Sequence, residues 1–404
     1  MRASAYPMLA AGEAAGLVLD RTPVLESEEV LLEAAPGRVA AADVVAGREL
    51  PGFPASAVDG YAIRSADGGG RLRVVGESAA GRPFTGALEH GAAARILTGG
   101  VLPEGADSVV MVEEVEQDGD QVVVPEAYGA GRNFHAPGAD LRPGDVLVRR
   151  GHPLGSAEIG LVAALGIDRL RVHRRPRVAL MSTGDELVEV GRPLGPGQIT
   201  DSNRWALLAA LREAGAEVDL LGIAPDRPDP LRELVLGAVE RCDVLVTSGG
   251  VSVGTHDLVK PLLESLGEVH VGRVKLRPGK PFTFATLPDR KLAFGLPGFP
   301  VSSLVTLEVF VRPALRKLQG HSRLHRPELP VRLGYDAMAG GDRTEYQRVI
   351  LRREGPDLVA TSTGSQSSSR LMSLAGAHAL VRIPPGDDGY PAGTYVEALI
   401  LELP

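Results

Sequence analysis

From Arg177 to Gln319 the chain alternates short apolar runs with amphipathic stretches, and this rhythm narrows the fold more than any other feature. The β-prone runs are Val178–Met181, Val218–Ile223, Val244–Val246, Val269–Leu276, Phe282–Thr286 and Leu292–Leu296. Helical stretches separate or follow them: Arg204–Ala214, Pro230–Glu240, one around Leu258–Leu266, and Val301–Gln319. Parallel neighbours need a crossover, usually a helix. The order therefore predicts a mostly parallel, twisted sheet with helices on both faces. Ligands of such sheets sit beyond the carboxyl ends of the strands. The loops that fall there are STGDE (182–186), APD (224–226), SGGVSVGTHD (248–257), RPGKP (277–281) and LPGFP (296–300).

The SGGVSVGTHD loop is the most suggestive of these. Gly249 and Gly250 allow a tight turn and close approach of the backbone to a ligand. Backbone N–H groups at the mouth of a helix make an anion site, so a phosphate-bearing ligand is expected here. A strand-to-helix turn with no ligand fits the same residues. Ser252 has no fixed histidine base beside it, and His256 reads as a helix-start residue, so a serine nucleophile is not favoured.

Outside this region the chain changes character. With 404 residues it exceeds one ordinary core. Residues 8–20 predict a helix with Leu9, Ala10, Leu17 and Val18 as its stripe. That segment is too small to stand alone and must pack on something distant in sequence or on another subunit. Residues 65–142 read as all-β, with Asp118-Gly119 as a hairpin turn between Val109–Glu114 and Val122–Val124. Gly155–Gly166 predicts a helix with Ser156 as N-cap. Pairing of that helix with the N-terminal one would make the β region an insertion. Residues 325–404 return to short β runs and predict a small barrel or sandwich. The expected domains are 1–45 with 143–174 as a discontinuous helical domain, 46–142 as an inserted all-β domain, 175–322 as the parallel α/β sheet domain, and 323–404 as a C-terminal small β-barrel.

The net charge of −8 argues against general nucleic-acid binding. Cys242 is the only cysteine, which excludes an intramolecular disulfide or a cysteine zinc cluster. No signal-peptide pattern or membrane-length apolar run is present, so a cytoplasmic location is expected.

Two sets of groups carry chemistry. Asp59, Asp185, Glu186, Asp226 and Asp257 are acidic; Arg273, Lys275, Arg277, Lys280, Arg348, Thr98, Ser367 and Ser368 are cationic or hydroxylic. Carboxylates with phosphate oxygens hold Mg²⁺, and lysine and arginine grip oxyanions. Together they predict Mg²⁺-assisted chemistry on a phosphorylated substrate. Asp59-Gly60 also reads as an ordinary turn, His135 as a solvated loop residue, and Arg348 as a surface strand arginine. No Walker lysine loop, dinucleotide fingerprint or serine elbow is present.

The motifs SAVDGYAI (56–63), ILTGG (96–100), STGDEL (182–187), SGGVSVGTHD, RPGKP, LPGFPVS (296–302), YQR (346–348) and GSQSSSR (364–370) together resemble the molybdopterin molybdenumtransferase family, the MoeA-type insertases and the gephyrin E domain. The resemblance runs in order from about residue 50 to 375. It implies a homodimer of four-domain subunits acting on adenylylated molybdopterin and molybdate, with Mg²⁺ assisting and AMP released. It also implies a cleft shared between subunits, and partners such as molybdopterin adenylyltransferase and other molybdenum-cofactor proteins. By motif, Asp59, Thr98 and Asp140 face the cleft, and Glu186, Asp226 and Asp257 manage the metal and pterin. Ser248, Gly249, Gly250 and Ser252 line the pterin, while Lys275, Arg277 and Lys280 meet the phosphates. Pro297 and Pro300 shape the loop beneath, and Arg348 and Ser368 hold molybdate from another domain and another subunit. Phe299, Arg277 and His378 depart from the usual residues, which leaves open a tungstate-preferring paralogue. A dimeric scaffold that binds a partner peptide is the non-catalytic alternative.

Overall fold

A computed structural model describes residues 6–125, 128–251, 258–338 and 340–403. At its centre lies a six-stranded sheet in the order Glu217–Ala224, Arg177–Thr183, Val244–Ser248, Leu292–Leu296, Thr283–Thr286, Glu268–Val271. The first four strands are parallel, and the last two join antiparallel at the edge. Helices Asn203–Glu213, Pro228–Val239 and Val259–Leu266 are crossovers, as the alternating sequence requires. The final helical run starts at Pro300 and ends at Leu318, with a π-helical turn at Leu307–Val311. Both faces of the sheet are buried. One face packs Phe282, Phe284, Phe294 and Phe310, and the Phe282 and Phe310 rings stack at 4.3 Å. Each such ring contributes about 2–3 kcal/mol through burial.

The expected strand Val269–Leu276 is two strands. Glu268–Val271 stays in the α/β sheet, whereas Val274–Arg277 leaves it and pairs in parallel with the barrel strand Thr344–Glu354. Gly272 and Arg273 form the break, and an added Cβ at Gly272 would lie 2.7 Å from the Tyr6 side chain. The outgoing strand is also clamped by the N-terminus. Leu9 and Ala10 pair in parallel with Val274 and Lys275, and the Arg273 guanidinium donates to the Tyr6 carbonyl at 3.0 Å.

The N-terminal helix spans Ala11–Arg21 and buries Ala11, Ala14 and Val18 in the α/β core. Its buried stripe is thus shifted from the one expected, and its neighbours are the Val274–Arg277 strand and the Arg312–Leu318 helix. It does not pair with the Ser156–Ala164 helix, whose Val162 lies in a separate core with Leu154, Leu170 and Val172. That helix has Gly155, not Ser156, as N-cap, and the Glu158 carboxylate accepts the Gly155 N–H at 3.0 Å. Around it, Ser27–Leu31 pairs with Arg169–His173, and Val44–Val45 with Val146–Val148.

Residues between these pairs build a second six-stranded sheet in the order Ser108–Met111, Gly60–Ile63, Ala92–Ile96, Arg71–Ser78, Gln121–Val123, Glu116–Asp118. The Gly119 hairpin is present, but it joins Glu116–Asp118 to Gln121–Val123; Ser108–Met111 pairs with Gly60–Ile63 instead. The C-terminal strands close a five-stranded barrel, in which Thr344–Glu354 pairs with both Asp357–Ser362 and Ala379–Ile383.

Where Arg169–His173 hands over to the central sheet, Arg174 donates to both oxygens of Asp243 at 2.6 and 2.7 Å, and the Arg177 N–H adds a third bond at 2.8 Å. Burial pushes the Asp243 carboxyl up, but these bonds outweigh it and hold the group below its ordinary value of 3.8. A depressed folded value stabilises the protein above the ordinary value and loses that stabilisation as pH falls through the folded one. Asp243→Asn is expected to lower unfolding free energy at pH 7 by roughly 1–3 kcal/mol. In denaturation series against pH, the gap between variant and parent should close on acidification below the ordinary carboxylate range.

Candidate active site

Three parallel strands end level, because the backbone register places Ser182 beside Ser248 and Ser248 beside Leu296. Past that line run Gly184, Gly249-Gly250 and Pro297-Gly298-Phe299. Gly249 and Gly250 have φ of 89° and 66°; a Cβ would come within 2.6 Å of the Thr183 carbonyl at the first and 2.7 Å of the Val259 side chain at the second. Only glycine satisfies both the left-handed backbone and the close approach. The Gly249 N–H donates to the Leu296 carbonyl at 3.0 Å and draws the two loops together.

Asn203 fastens them. Its Nδ2 donates to Ser248 Oγ at 2.9 Å and to the Gly298 carbonyl at 2.6 Å. Ser303 Oγ donates to the Pro297 carbonyl at 2.5 Å and lies 3.4 Å from Ser248 Oγ. Ser248 is thus buried in an internal network, a correction to its reading as a pterin-lining side chain. Beneath the same edge, Asp201 accepts from Ser182 Oγ and from the Arg204 N–H, each at 3.1 Å. Asp201 and Asn203 lay in the Ile199–Asn203 run and Ser303 in the first turn of the Pro300 helix, and only these helix-start positions hinted at them. Thr183 Oγ1 is buried at this edge with no partner among the described residues. Ser252 and Asp257 lie outside the described residues.

The acidic corner adjoins these loops. Asp185 accepts the Asp226 N–H at 3.3 Å, which ties the APD loop to the STGDE loop. Glu186 is exposed and folds its carboxylate back over Gly184, and Asp226 is half-buried.

In the second sheet domain, the Thr98 N–H and Oγ1 both donate to Asp59 Oδ1 at 2.7 Å. These bonds hold the exposed Asp59 carboxyl below its usual range. Asp59 therefore bridges two loops 39 residues apart and is not a local turn aspartate. Asp140 and His135 are exposed. Among the described residues, the hydrogen bonds of residues 46–142 run only within 46–166, and none joins Asp59, Thr98 or Asp140 to the central loops.

The cations come together differently. Lys275 Nζ lies 3.7 Å from Asp342, and Arg277 lies 3.5 Å from Glu345. Lys280 is exposed, and its carbonyl accepts the Val274 N–H at 3.1 Å, which closes the RPGKP loop. Arg348 is neither a surface residue nor open to an anion: it is 0 % exposed. Its guanidinium donates to Ser373 Oγ at 3.1 Å and to the Ser367 carbonyl at 3.2 Å, so it holds the GSQSSSR loop from within. Burial lowers its pKa to about 10, which leaves it cationic at neutral pH. Gln366 pins the same loop by exchanging bonds with the Arg348 backbone at 2.8 and 3.1 Å.

Ser368 is half-buried, and its carbonyl accepts the Val301 N–H at 3.1 Å, at the start of the helix led by Pro300. The GSQSSSR loop therefore meets the LPGFP loop within the same chain, which corrects its assignment to another subunit. Ser367 and Ser369 present hydroxyls 3.0 Å apart on its exposed side. Phe299 is 60 % exposed, so it leaves the loop edge open and fills no part of the core. His378, by contrast, sets its ring nitrogen 3.2 Å from the Leu351 backbone in the barrel seam, which accounts for it structurally.

Gly249→Ala is expected to destabilise the fold by about 1 kcal/mol or more, because both the backbone angle and the Thr183 contact oppose it. Asn203→Ala, which frees both loops, is expected to weaken binding of a phosphate-bearing ligand with a smaller change in denaturation midpoint. Ligand titration and chemical denaturation of the two variants check this split.

Comparison with known proteins agrees over the whole chain. Residues 9–166 match the MoeA N-terminal region (domain I and II), residues 179–317 the probable molybdopterin binding domain, and residues 330–401 the MoeA C-terminal region (domain IV). The molybdopterin molybdenumtransferase of Nostoc sp. is 38% identical over 414 residues, covering 98% of this chain and 94% of that protein. Gephyrin of Dictyostelium discoideum is 36% identical over 453 residues; the match covers 99% of this chain but only 63% of gephyrin's length. A solved molybdopterin biosynthesis MoeA protein from Pyrococcus horikosii superposes with a TM-score of 0.83 at 33% identity, covering 98% of this chain and 100% of the other. Like that protein in fold, and like the Nostoc enzyme along nearly its full length, this chain belongs to the molybdopterin molybdenumtransferase family.

Proposed function

We propose that this chain is a molybdenum insertase, which transfers molybdate into adenylylated molybdopterin, cleaves the phosphoanhydride and releases AMP. The observation that carries this reading is the junction of two unlike surfaces in one chain. The glycine edge at 248–250 and 297–299 meets the GSQSSSR loop through the Ser368–Val301 bond. The edge offers backbone N–H groups to a pterin phosphate. Lys275, Arg277 and Lys280 offer positive charge to the phosphate chain and the oxyanion. Arg348 acts one step back, fixing the loop that carries Ser367 to Ser369.

Mg²⁺ fits the acidic corner in the manner usual for phosphoryl chemistry, with one or two carboxylates and substrate phosphates completing its shell. Glu186 and Asp226 would hold it, with Asp257 as a further ligand. Among the described residues no group of three His, Cys, Asp or Glu side chains converges, and Asp257 lies outside them. When bound, the ion supplies charge neutralisation for the phosphoanhydride. Asp59, Thr98 and Asp140 do not reach these loops within one chain, so a homodimer would bring them from a second copy. The cytoplasm, where other molybdenum-cofactor proteins act, is the proposed location.

Incubation with adenylylated molybdopterin, Mg²⁺ and molybdate is expected to release AMP. Lys280→Ala should lower the rate by roughly 10²–10³-fold, the usual loss when one donor to a developing oxyanion is removed. A chelator should stop the reaction. Cleavage that persists without divalent metal, or no AMP with molybdate or tungstate, would overturn the reading.

A further inference from the structure

Glu345 is an anion in an unexpected place. It opens the barrel strand Thr344–Glu354, is 4 % exposed, and lies opposite Arg277 in the parallel register. Arg277 Nη1 is 3.5 Å from its Oε2, while the Arg277 side chain is half exposed. A carboxylate here competes with any oxyanion for the same arginine. Its surroundings are mixed. From its own strand Arg348 and Gln347 act on it, from the adjoining segment Arg343, and from the neighbouring strand Arg277, while Lys275 on that strand pairs with Asp342. Tyr335, whose hydroxyl donates to Gln347 at 2.7 Å, closes the cluster. Burial pushes the Glu345 carboxyl above its ordinary value, opposed by Arg277, Arg348 and Gln347. The charged form therefore depends on Arg277 remaining available to it.

Resting on the oxyanion reading of this corner, we propose that Glu345 is its positioning residue: it aligns Arg277 and couples oxyanion binding to uptake of one proton. Free, the site keeps Glu345 charged against Arg277 and so holds the guanidinium fork in place. When a dianion takes the open donors of Arg277, the largest of the cationic influences on Glu345 is shared between two anions. Protonation of Glu345 relieves the repulsion between them and leaves the arginine's charge to the ligand. The Gln347 amide and Arg277 both donate to the carboxyl, so its carbonyl oxygen keeps a donor when the group is neutral. The consequence is selective: the site binds dianions more tightly as the proton becomes available, without a permanent excess of positive charge that would hold every anion.

The test is binding of molybdate, and separately of sulfate, which stays doubly charged throughout, to the full chain between pH 6 and pH 8, a window set by about one unit either side of neutrality. Affinity should rise by up to about tenfold per unit fall in pH. Calorimetry in two buffers of different ionisation enthalpy should report uptake of one proton per anion, which needs no variant. Glu345→Gln should bind both anions at least as tightly as the parent at low pH, with the pH dependence lost. A parental slope in Glu345→Gln, or no proton uptake on binding, would overturn the proposal while leaving the oxyanion site intact. Binding unchanged by Arg277→Gln would instead remove the oxyanion site itself, and the proposal with it.

Discussion

Everything at the candidate site depends on three parallel strands ending on one line. Hydrogen-bonded register sets Ser182, Ser248 and Leu296 side by side, so the three following loops must share a narrow space. The backbone angles of Gly249 and Gly250 and their close approaches to Thr183 and Val259 are the consequence. Asn203 and Ser303 then bond across what would otherwise be separate turns. A sheet of this kind is rigid through its buried faces, which holds the loops at its edge in a fixed geometry.

A second constraint comes from the chain leaving that sheet. After Val271 the backbone breaks at Gly272 and Arg273 and rejoins as a strand of the barrel side, clamped by Leu9 and Ala10. Lys275 and Arg277 ride on this outgoing strand, so the two domains cannot separate without moving the cations. Arg348 and Gln366 perform the matching task on the barrel, setting the GSQSSSR loop against the start of the Pro300 helix. Positive charge and glycine edge are thereby positioned by covalent continuity and a few buried polar bonds.

Much of the central domain was legible because strand and helix periods differ and glycines punctuate them. The parallel order, the crossover helices and the loops at the strand ends follow from that pattern. The strand break at Gly272 did not, since Val269–Leu276 is one β-prone run and nothing local marks which sheet each half joins. The N-terminal helix was legible as a helix, yet its partner was not. Its apolar face fits any apolar surface, and the α/β core, not the Ser156–Ala164 helix, received it. At the site, the glycines and the exposed Lys280 were readable from residue type. Ser248 and Arg348 were not: a serine in a glycine loop and an arginine on a strand look the same whether they face solvent or an interior network.

The sequence by itself determined the class of chemistry. Glycine turns at strand ends, several carboxylates and the RPGKP cations are the residue types from which an anion-handling site is built, because they supply the backbone angles and charges. Tertiary structure alone decided which of them meet. It joined Ser368 to Val301 within one chain, set Glu345 beneath Arg277, and left Asp59 and Thr98 bonded to each other apart from the central loops. The physical reason is that contacts between distant segments arise from strand register and buried packing, which depend on the whole fold and leave no trace in local residue order.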